Sequence, residues 1–226
     1  MRWAAALACA LAACAPRSSL FPVRLCGTGP MSPARARRLR AAAMRVGLST
    51  AGDATCAEAA NVPPAPAMLP VFDPRDGRPV GAMRLGLQSY CALLDGVGGL
   101  FYSVPAQKDE APPEQWIALR LVAEQMSALQ QILTGGRAWA APFGPLPEGL
   151  RARAWRYHGR DYVIVADLGR DSLKIPVQLL EPRWRLLFQR RRDVQDVLPF
   201  AGDGWYMAPF QVLVFESRPS LFGLSF

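Results

Sequence analysis

The spacing of apolar residues predicts two amphipathic helices in the middle of the chain. From Ala82 to Leu94 the apolar positions recur at steps of three and four, and the same period runs from Glu114 to Leu133. Prolines precede the second helix and a glycine pair ends it. Two apolar runs without this period, residues 68–72 and 97–102, are typical of buried parallel strands. The order strand, helix, strand, helix predicts a right-handed parallel crossover.

The pattern changes after a proline-rich linker at residues 141–147. Short apolar runs then alternate with Gly, Asp and Pro turns, which predicts closely spaced strands. These runs cover residues 154–158, 162–166, 173–177, 184–188 and 211–215. A hairpin turn is predicted at His158 to Asp161. Together these features indicate a small antiparallel β-sandwich in residues 148–219.

The first 66 residues mix Ala, Arg, Pro and Gly with few bulky apolar residues, so this region is predicted to be poorly ordered. Its arginine-rich stretch from Arg35 to Arg45 predicts a solvated helix or coil. Met1 to Ala13 has the single charge and short apolar core of a secretory signal. Leu11-Ala12-Ala13-Cys14 resembles a bacterial lipobox, which makes Cys14 a candidate lipid-attachment site and predicts a secreted or envelope-anchored protein. The alternative is an upstream extension that encodes no natural domain.

Composition excludes several function classes. The formal net charge is +8, but the chain has no zinc-finger spacing, RNA-binding aromatic motif or sustained basic helix, so no nucleic-acid partner is predicted. None of the five cysteines forms a CxxC pair, and neither a metal site nor a disulfide framework is expected. His158 is the single histidine and lies beside a predicted turn. The glycines at 96–99 precede a strand instead of following one, so no cofactor is predicted.

Two parts of the chain resemble glycoside-hydrolase-like (β/α) barrel proteins. Residues 69–74 and 87–103 are similar to the final strand-helix-strand, in which a helix of the type YLAL..GA.GL.YY leads into the last strand. Residues 162–168 and 208–216 resemble strands close to YVIVANL and APFEVLVFE in the C-terminal sandwich of these proteins. The resemblance implies an α/β plus all-β fold. The last strand-helix units of a barrel would occupy residues 67–140, and the sandwich would follow.

The resemblance also implies a function. The chain would be the C-terminal portion of a carbohydrate-active protein and would not be catalytic alone, because the acids of such barrels tend to lie on earlier strands. The alternative is a non-enzymatic envelope lipoprotein or carbohydrate-binding module. A barrel cannot close with two strands. The exposed edge must therefore be covered by the N-terminal region, by a partner chain, or by residues missing from this reading frame.

Barrel active sites lie at the carboxyl ends of the strands. This geometry nominates Phe72, Tyr102 and Ser103 as sugar-binding residues, with Tyr102 stacking on a ring and Ser103 bonding a hydroxyl. Glycoside hydrolysis needs two carboxylates, and Asp73 and Asp109 are weak candidates for that pair. The alternatives are that Tyr102 packs in the barrel mouth and that Asp73 serves the turn it opens.

Overall fold

The computed structural model describes residues 21–56, 65–105, 113–139, 144–176, 179, 181–190, 200–201 and 204–218. These residues form a mixed α/β structure with one parallel and two antiparallel sheets. The helices are α1 (Pro33–Arg45), α2 (Ala82–Asp95) and α3 (Pro113–Gly135). The strands are β1 (Val23–Gly27), β2 (Ser49–Thr55), β3 (Ala67–Pro70), β4 (Leu100–Val104), β5 (Arg137–Trp139), β6 (Leu150–Tyr157), β7 (Arg160–Asp167), β8 (Leu173–Lys174), β9 (Trp184–Arg190), β10 (Phe200–Ala201), β11 (Gly204–Met207) and β12 (Val212–Ser217).

The parallel sheet has the strand order β2-β1-β4-β3. Strand β3 pairs in parallel with β4, and α2 connects them, so the predicted parallel strand-helix-strand is confirmed. Helix α2 ends where the sequence predicts, at Gly96, whose φ of +82° is the left-handed conformation that glycine adopts at low cost.

The N-terminal region supplies half of this sheet. Strand β1 pairs in parallel with β4, with Leu25 opposite Tyr102, and β2 pairs with β1 on the other side. The prediction of a poorly ordered N-terminal region is therefore wrong for residues 21–56, while residues 1–20 and 57–64 lie outside the described part. The physical reason is that small residues suffice for close packing: Ala42 and Ala43 of α1 are buried in the main core together with Leu39.

A disulfide joins Cys26 on β1 to Cys56, directly after β2, with the two Cα atoms 5.3 Å apart. This bond corrects the expectation that the cysteines form no disulfide framework. The sequence does not reveal it, because the two cysteines are 30 residues apart and follow no familiar spacing. The parallel register brings them together, since Gly27 lies opposite Thr55. Both cysteines are buried beside Phe101.

The main core lies between the parallel sheet and the three helices. It contains Leu25, Leu100 and Tyr102 from the sheet, together with buried residues of α1, α2 and α3. Helix α3 buries the predicted stripe through Leu119, Val122, Met126 and Leu129. The stripe predicted for α2 consists of Met83, Leu87, Tyr90 and Leu94, of which Tyr90 and Leu94 are buried. Met83 is 60% exposed, and Leu85 is buried in its place.

The five-stranded antiparallel sheet has the order β5-β6-β7-β12-β9, and the three-stranded sheet has the order β10-β11-β8. The hairpin predicted at His158 is confirmed as a two-residue turn, in which His158 and Gly159 both have positive φ. One face of the five-stranded sheet joins the main core through Trp155 and Ile164. The other face forms a second core, with Val163 packed in one cluster with Met207 of β11.

Candidate carbohydrate site at the carboxyl edge of the parallel sheet

The carboxyl ends of β1, β3 and β4 are level with one another. Gly27 pairs with Val104, and Pro70 pairs with Ser103. The loops that follow these strands therefore meet at one edge of the sheet, which we call the carboxyl edge. The sequence places the expected functional residues at this edge.

Asp73 lies in the loop after β3, where both carboxylate oxygens have donors. The Arg75 backbone N–H donates to Oδ1 at 2.9 Å, and Arg84 Nη1 donates to Oδ2 at 3.1 Å. The backbone bond from Arg75, with a further contribution from Arg84, lowers the pKa of Asp73 below its ordinary value. Its backbone also closes the turn, accepting from Gly77 and donating to Arg78. The carboxylate is thus ionised and committed to the loop, which agrees with the alternative that Asp73 serves this turn.

Tyr102 and Phe72 lie in the core. Tyr102 is fully buried, and its hydroxyl lies 2.8 Å from Ser89 Oγ, which donates to the carbonyl of Leu85 on α2. Phe72 is 3% exposed and forms an isolated bridge with Pro79. Neither ring offers a face to a sugar in this structure, so the expected stacking role is corrected to a packing role. The reason is strand alternation, which directs Tyr102 towards the helices.

Ser103 has the opposite orientation. Side chains alternate along β4, so Ser103 shares a face with Phe101, on the side away from the helical core. The residue is half-buried, and it is level with Cys26 on β1. Of the three predicted sugar-binding residues, Ser103 is the one that keeps accessible surface at the carboxyl edge.

The predicted carboxylate pair is not assembled in the described residues. Asp109 lies outside them, and so does Cys14, the candidate for lipid attachment. The described part of the chain also contains no group of three His, Cys, Asp or Glu residues arranged to hold a metal ion. No described helix is both long and apolar enough to cross a bilayer.

Arg35 is a carboxyl-edge residue that was not predicted from the sequence. Although it is 4% exposed, its guanidinium bonds three backbone carbonyls: Thr28 at 2.8 Å, Pro30 at 2.9 Å and Val104 at 3.1 Å. Arg35 therefore ties the end of β4 to the loop after β1. A signal was present in the sequence, because an arginine in the first turn of a helix opposes the helix dipole and needs another partner.

A groove of about 390 Å³ opens beside this arginine, along the first two turns of α1. It is lined by Met31, Ser32, Pro33, Ala36, Arg37 and Arg40. Its volume falls within the range of small-molecule sites. The walls combine apolar surface with guanidinium donors, and Arg37 is exposed.

A second charged cluster lies away from the groove, on the five-stranded sheet. Glu216 is 6% exposed and accepts hydrogen bonds from Arg160 at 2.7 Å, from the Tyr162 hydroxyl at 2.9 Å and from Arg185. Burial opposes ionisation of Glu216, but these bonds outweigh it and lower its pKa. The cluster connects β7, β9 and β12, so we assign it a structural role.

This cluster gives a prediction for stability against pH. A carboxyl group whose pKa is lower in the folded state stabilises the protein at pH values above its unfolded-state pKa, which is near 4.5 for Glu216. This stabilisation is lost as the pH falls through the folded-state pKa. At pH 7 we expect Glu216→Gln to reduce the free energy of unfolding by about 1–2 kcal/mol. We expect no larger loss, because Arg160 and Arg185 are partly exposed and solvent screens their charges. The difference from the unmodified protein should shrink below about pH 4.

Urea unfolding at pH 7 and at pH 3.5 measures this difference. The matched control is Glu181→Gln, because Glu181 pairs with Arg183 while both side chains are exposed. The control should change stability by less than about 0.5 kcal/mol. An equal loss for Glu216→Gln at both pH values would contradict the assignment.

Asp167 and His158 are two further polar residues of the antiparallel part of the chain. Asp167 is fully buried at the end of β7, and burial raises its pKa despite a hydrogen bond from the Gly169 N–H. Its Oδ2 has no hydrogen-bond partner in the structure. His158 occupies the hairpin turn and packs edge-on against Tyr157. Both residues are separate from the carboxyl edge.

Comparison with known proteins gives a partial structural similarity. No protein-family model matches the chain, and no curated protein matches it. Among solved structures, the α-amylase from Geobacillus thermoleovorans complexed with acarbose has 14% identity and a TM-score of 0.45, over 69% of this chain and 39% of that chain. Amy13B from Eubacterium rectale has 10% identity and a TM-score of 0.44, over 66% of this chain and 36% of that chain.

An isomaltulose synthase from Erwinia rhapontici NX5 has 12% identity and a TM-score of 0.33, over 47% of this chain and 18% of that chain. The chain therefore spans well under half of the length of each of these structures. None of the three TM-scores reaches 0.5. These structural neighbours are thus an α-amylase, Amy13B and an isomaltulose synthase, each similar in part. A function for this chain has to be argued from its own residues.

Proposed function

We propose that this chain is a carbohydrate-binding protein with a glycoside-hydrolase-like fold and that it does not hydrolyse glycans alone. The observation that carries the proposal is the groove at the carboxyl edge, where Arg37 provides donors beside the apolar surface of Met31 and Ala36. Sugars present hydroxyl acceptors together with apolar C–H faces. A site for them therefore needs both kinds of wall.

The strand order supports the barrel part of the proposal. Read from the other edge, the parallel sheet runs β3-β4-β1-β2. Closure of a (β/α) barrel places its last strand beside its first, so its last two and first two strands have this same order. Helices α1, α2 and α3 also contribute to one core, as they do in a barrel, whereas a doubly wound sheet has helices on both faces. We infer that the parallel sheet is the closing seam of a barrel.

The second core supports the sandwich part of the proposal. Residues from β6, β7 and β12 of the larger sheet pack with Ile175 and with Met207 of the smaller sheet. Two antiparallel sheets that share a core in this way have the arrangement of a β-sandwich. The sandwich would follow the barrel seam along the chain, as the sequence resemblance implies.

The state of Asp73 argues against one catalytic role for it, that of the general acid. A glycosidase needs one protonated carboxylic acid and one ionised carboxylate near the same bond. Asp73 has a lowered pKa and two donors, so it is unsuited to the acid role. Asp73 is also not among the residues that line the groove, so Asp73→Asn should leave glycan binding unchanged.

The test is binding of the full chain to an array of short oligosaccharides, with reducing-sugar release measured in parallel. We expect at least one glycan to be retained, with no hydrolysis. Arg37→Ala should weaken binding about threefold to tenfold, because it removes a charged donor at an exposed site. Arg45→Ala, in the last turn of the same helix, is the matched control. Retention of no glycan would overturn the proposal, and hydrolysis would overturn its non-catalytic part.

We further propose that the protein is secreted or anchored to the cell envelope. The Cys26–Cys56 disulfide supports this location, because such bonds persist in oxidising compartments. Anchoring would be through Cys14. Metabolic labelling with palmitate tests this anchoring. Label that is lost in Cys14→Ala would support the lipid anchor, and absence of label from the unmodified protein would contradict it.

A further inference from the structure

The walls of the groove along α1 carry positive charge. Arg37 and Arg40 line it, and both are exposed. None of the described residues that line the groove carries a carboxylate. Helix α1 itself has no acidic residue, and its charged residues are Arg35, Arg37, Arg38, Arg40 and Arg45. A concave surface of this sign attracts an anionic ligand and repels a cationic one.

The carboxylates of the described residues form their ion pairs elsewhere. Asp73 pairs with Arg84 at 3.1 Å, and Asp76 pairs with Arg78 in the loop after β3. The other described ion pairs lie on α3, between α2 and β6, and within the antiparallel part of the chain. Arg37 takes part in none of these pairs. Its charge at the groove wall is therefore not compensated by a carboxylate of the described chain.

The spacing of the two groove arginines also favours an anion. Arg37 and Arg40 are three positions apart in α1, so their side chains are neighbours on one face of the helix. Like charges on neighbouring turns repel each other and destabilise a helix. An anionic group between the two guanidinium groups would remove this repulsion. A carboxylate suits this position, because it can accept two parallel N–H bonds from one guanidinium.

The other groove residues suit a small ligand that has both polar and apolar surface. Met31 and Ala36 provide apolar wall. Ser32 Oγ accepts the Arg35 backbone N–H at 3.2 Å, which leaves the Ser32 hydroxyl proton to donate to a ligand oxygen. The volume of about 390 Å³ is at the low end of the range for small-molecule sites. The groove therefore accommodates a short segment of a chain molecule, and its walls are polar, apolar and positively charged.

We propose that the groove binds an acidic carbohydrate, a short oligosaccharide whose rings carry carboxylate or sulfate groups, and that Arg37 and Arg40 bind those anionic groups. This inference rests on the proposed carbohydrate-binding function and names the ligand class of the same groove. The anionic groups account for the arginines, and the sugar rings account for the apolar wall and the Ser32 hydroxyl.

The test uses pairs of oligosaccharides that differ only in charge. Oligogalacturonates are compared with their carboxyl-reduced counterparts, and sulfated carrageenan oligosaccharides with desulfated ones. Fluorescence anisotropy of the end-labelled sugars measures their binding to the full, oxidised chain. In at least one pair we expect the acidic member to bind at least tenfold more tightly, and the pair that responds distinguishes a carboxylate from a sulfate. Raising NaCl from about 0.05 M to about 0.5 M should weaken this binding at least threefold, because salt screens exposed charges.

Substitutions of Arg37 test which charge is responsible. Arg37→Gln should weaken binding of the acidic member about threefold to tenfold, and Arg37→Glu should weaken it further. Both variants should keep the melting temperature of the unmodified protein within about 3 °C, because the side chain is exposed. The matched control is Arg45→Gln, which removes the same charge from the last turn of α1, outside the groove. The control should bind as the unmodified protein does.

Three results would overturn this inference and leave the proposed function standing. The first is equal binding of the acidic and neutral members of every pair that binds. The second is an equal loss of binding for Arg45→Gln and Arg37→Gln, and the third is equally tight binding of inorganic polyphosphate, because net charge alone would then be the cause. If no pair binds and the array retains no glycan, acidic or neutral, the proposed function fails as well.

Discussion

Replacing both Cys26 and Cys56 by alanine should lower the free energy of unfolding by about 3–4 kcal/mol. The bond closes a loop between residues 30 positions apart and so lowers the conformational entropy of the unfolded chain. The unfolded chain of the double variant regains this entropy, and the gain has the magnitude given. A typical domain is stable by only about 5–15 kcal/mol, so the change would be a large part of the total. Urea unfolding followed by tryptophan fluorescence measures it.

The control for this prediction is Cys91→Ser. Cys91 is a free, half-buried cysteine on α2, and burial raises the pKa of its thiol. Its replacement should cost clearly less than loss of the bond. Mass spectrometry of unreduced tryptic peptides should also show the fragments of Cys26 and Cys56 linked. An unchanged urea midpoint in the double variant, or unlinked fragments, would contradict the assigned bond.

Replacement of Tyr102 should affect folding and leave sugar binding unchanged. Tyr102→Ala should lower the free energy of unfolding by about 3–5 kcal/mol, because it leaves a cavity between β4 and α2. Tyr102→Phe keeps the ring and removes the hydroxyl that contacts Ser89, so we expect a loss of about 1 kcal/mol. Chemical denaturation checks both values.

The phenylalanine variant also tests the role of this residue in recognition. Because the Tyr102 ring is fully buried, Tyr102→Phe should bind glycans as the unmodified protein does. A clear loss of binding with little loss of stability would restore the stacking role that the sequence indicated. Ser89→Ala removes the other partner of the contact with the Tyr102 hydroxyl. The effects of Ser89→Ala and Tyr102→Phe on the free energy of unfolding should be non-additive, because both substitutions remove the same hydrogen bond.

The sequence predicted the elements whose apolar period is long and regular. Helices α2 and α3, the parallel pair β3 and β4, and the hairpin at His158 all appear where the pattern indicated. The packing of α1 was missed, because this helix packs through alanines that carry little periodic signal. The strands β1 and β2 were missed, because β1 is short and β2 consists of small and polar residues. Their order in the sheet depends on contacts between distant parts of the chain, and no local pattern encodes such contacts.

The candidate site was predicted less well than the fold. In a strand buried on both faces the apolar residues do not alternate with polar ones, so the sequence does not reveal which face carries Tyr102 and which carries Ser103. Arg35 and Arg37 have the sequence pattern of solvated charges, and only the position of α1 beside the end of β4 brings them to the carboxyl edge. Phe210 lies in residues 208–216, which resemble a strand of the sandwich, but its positive φ is visible only from the backbone.

The central structural claim is that the N-terminal strands belong to the same parallel sheet as β3 and β4, because the carboxyl edge and its groove depend on them. Hydrogen–deuterium exchange of the full, oxidised chain tests this claim most directly. We predict that amides of Val23–Gly27 exchange slowly, with protection similar to that of Leu100–Val104, to which they are paired. Rapid, unprotected exchange throughout residues 23–55, with protection confined to β3, β4 and the antiparallel sheets, would contradict the claim.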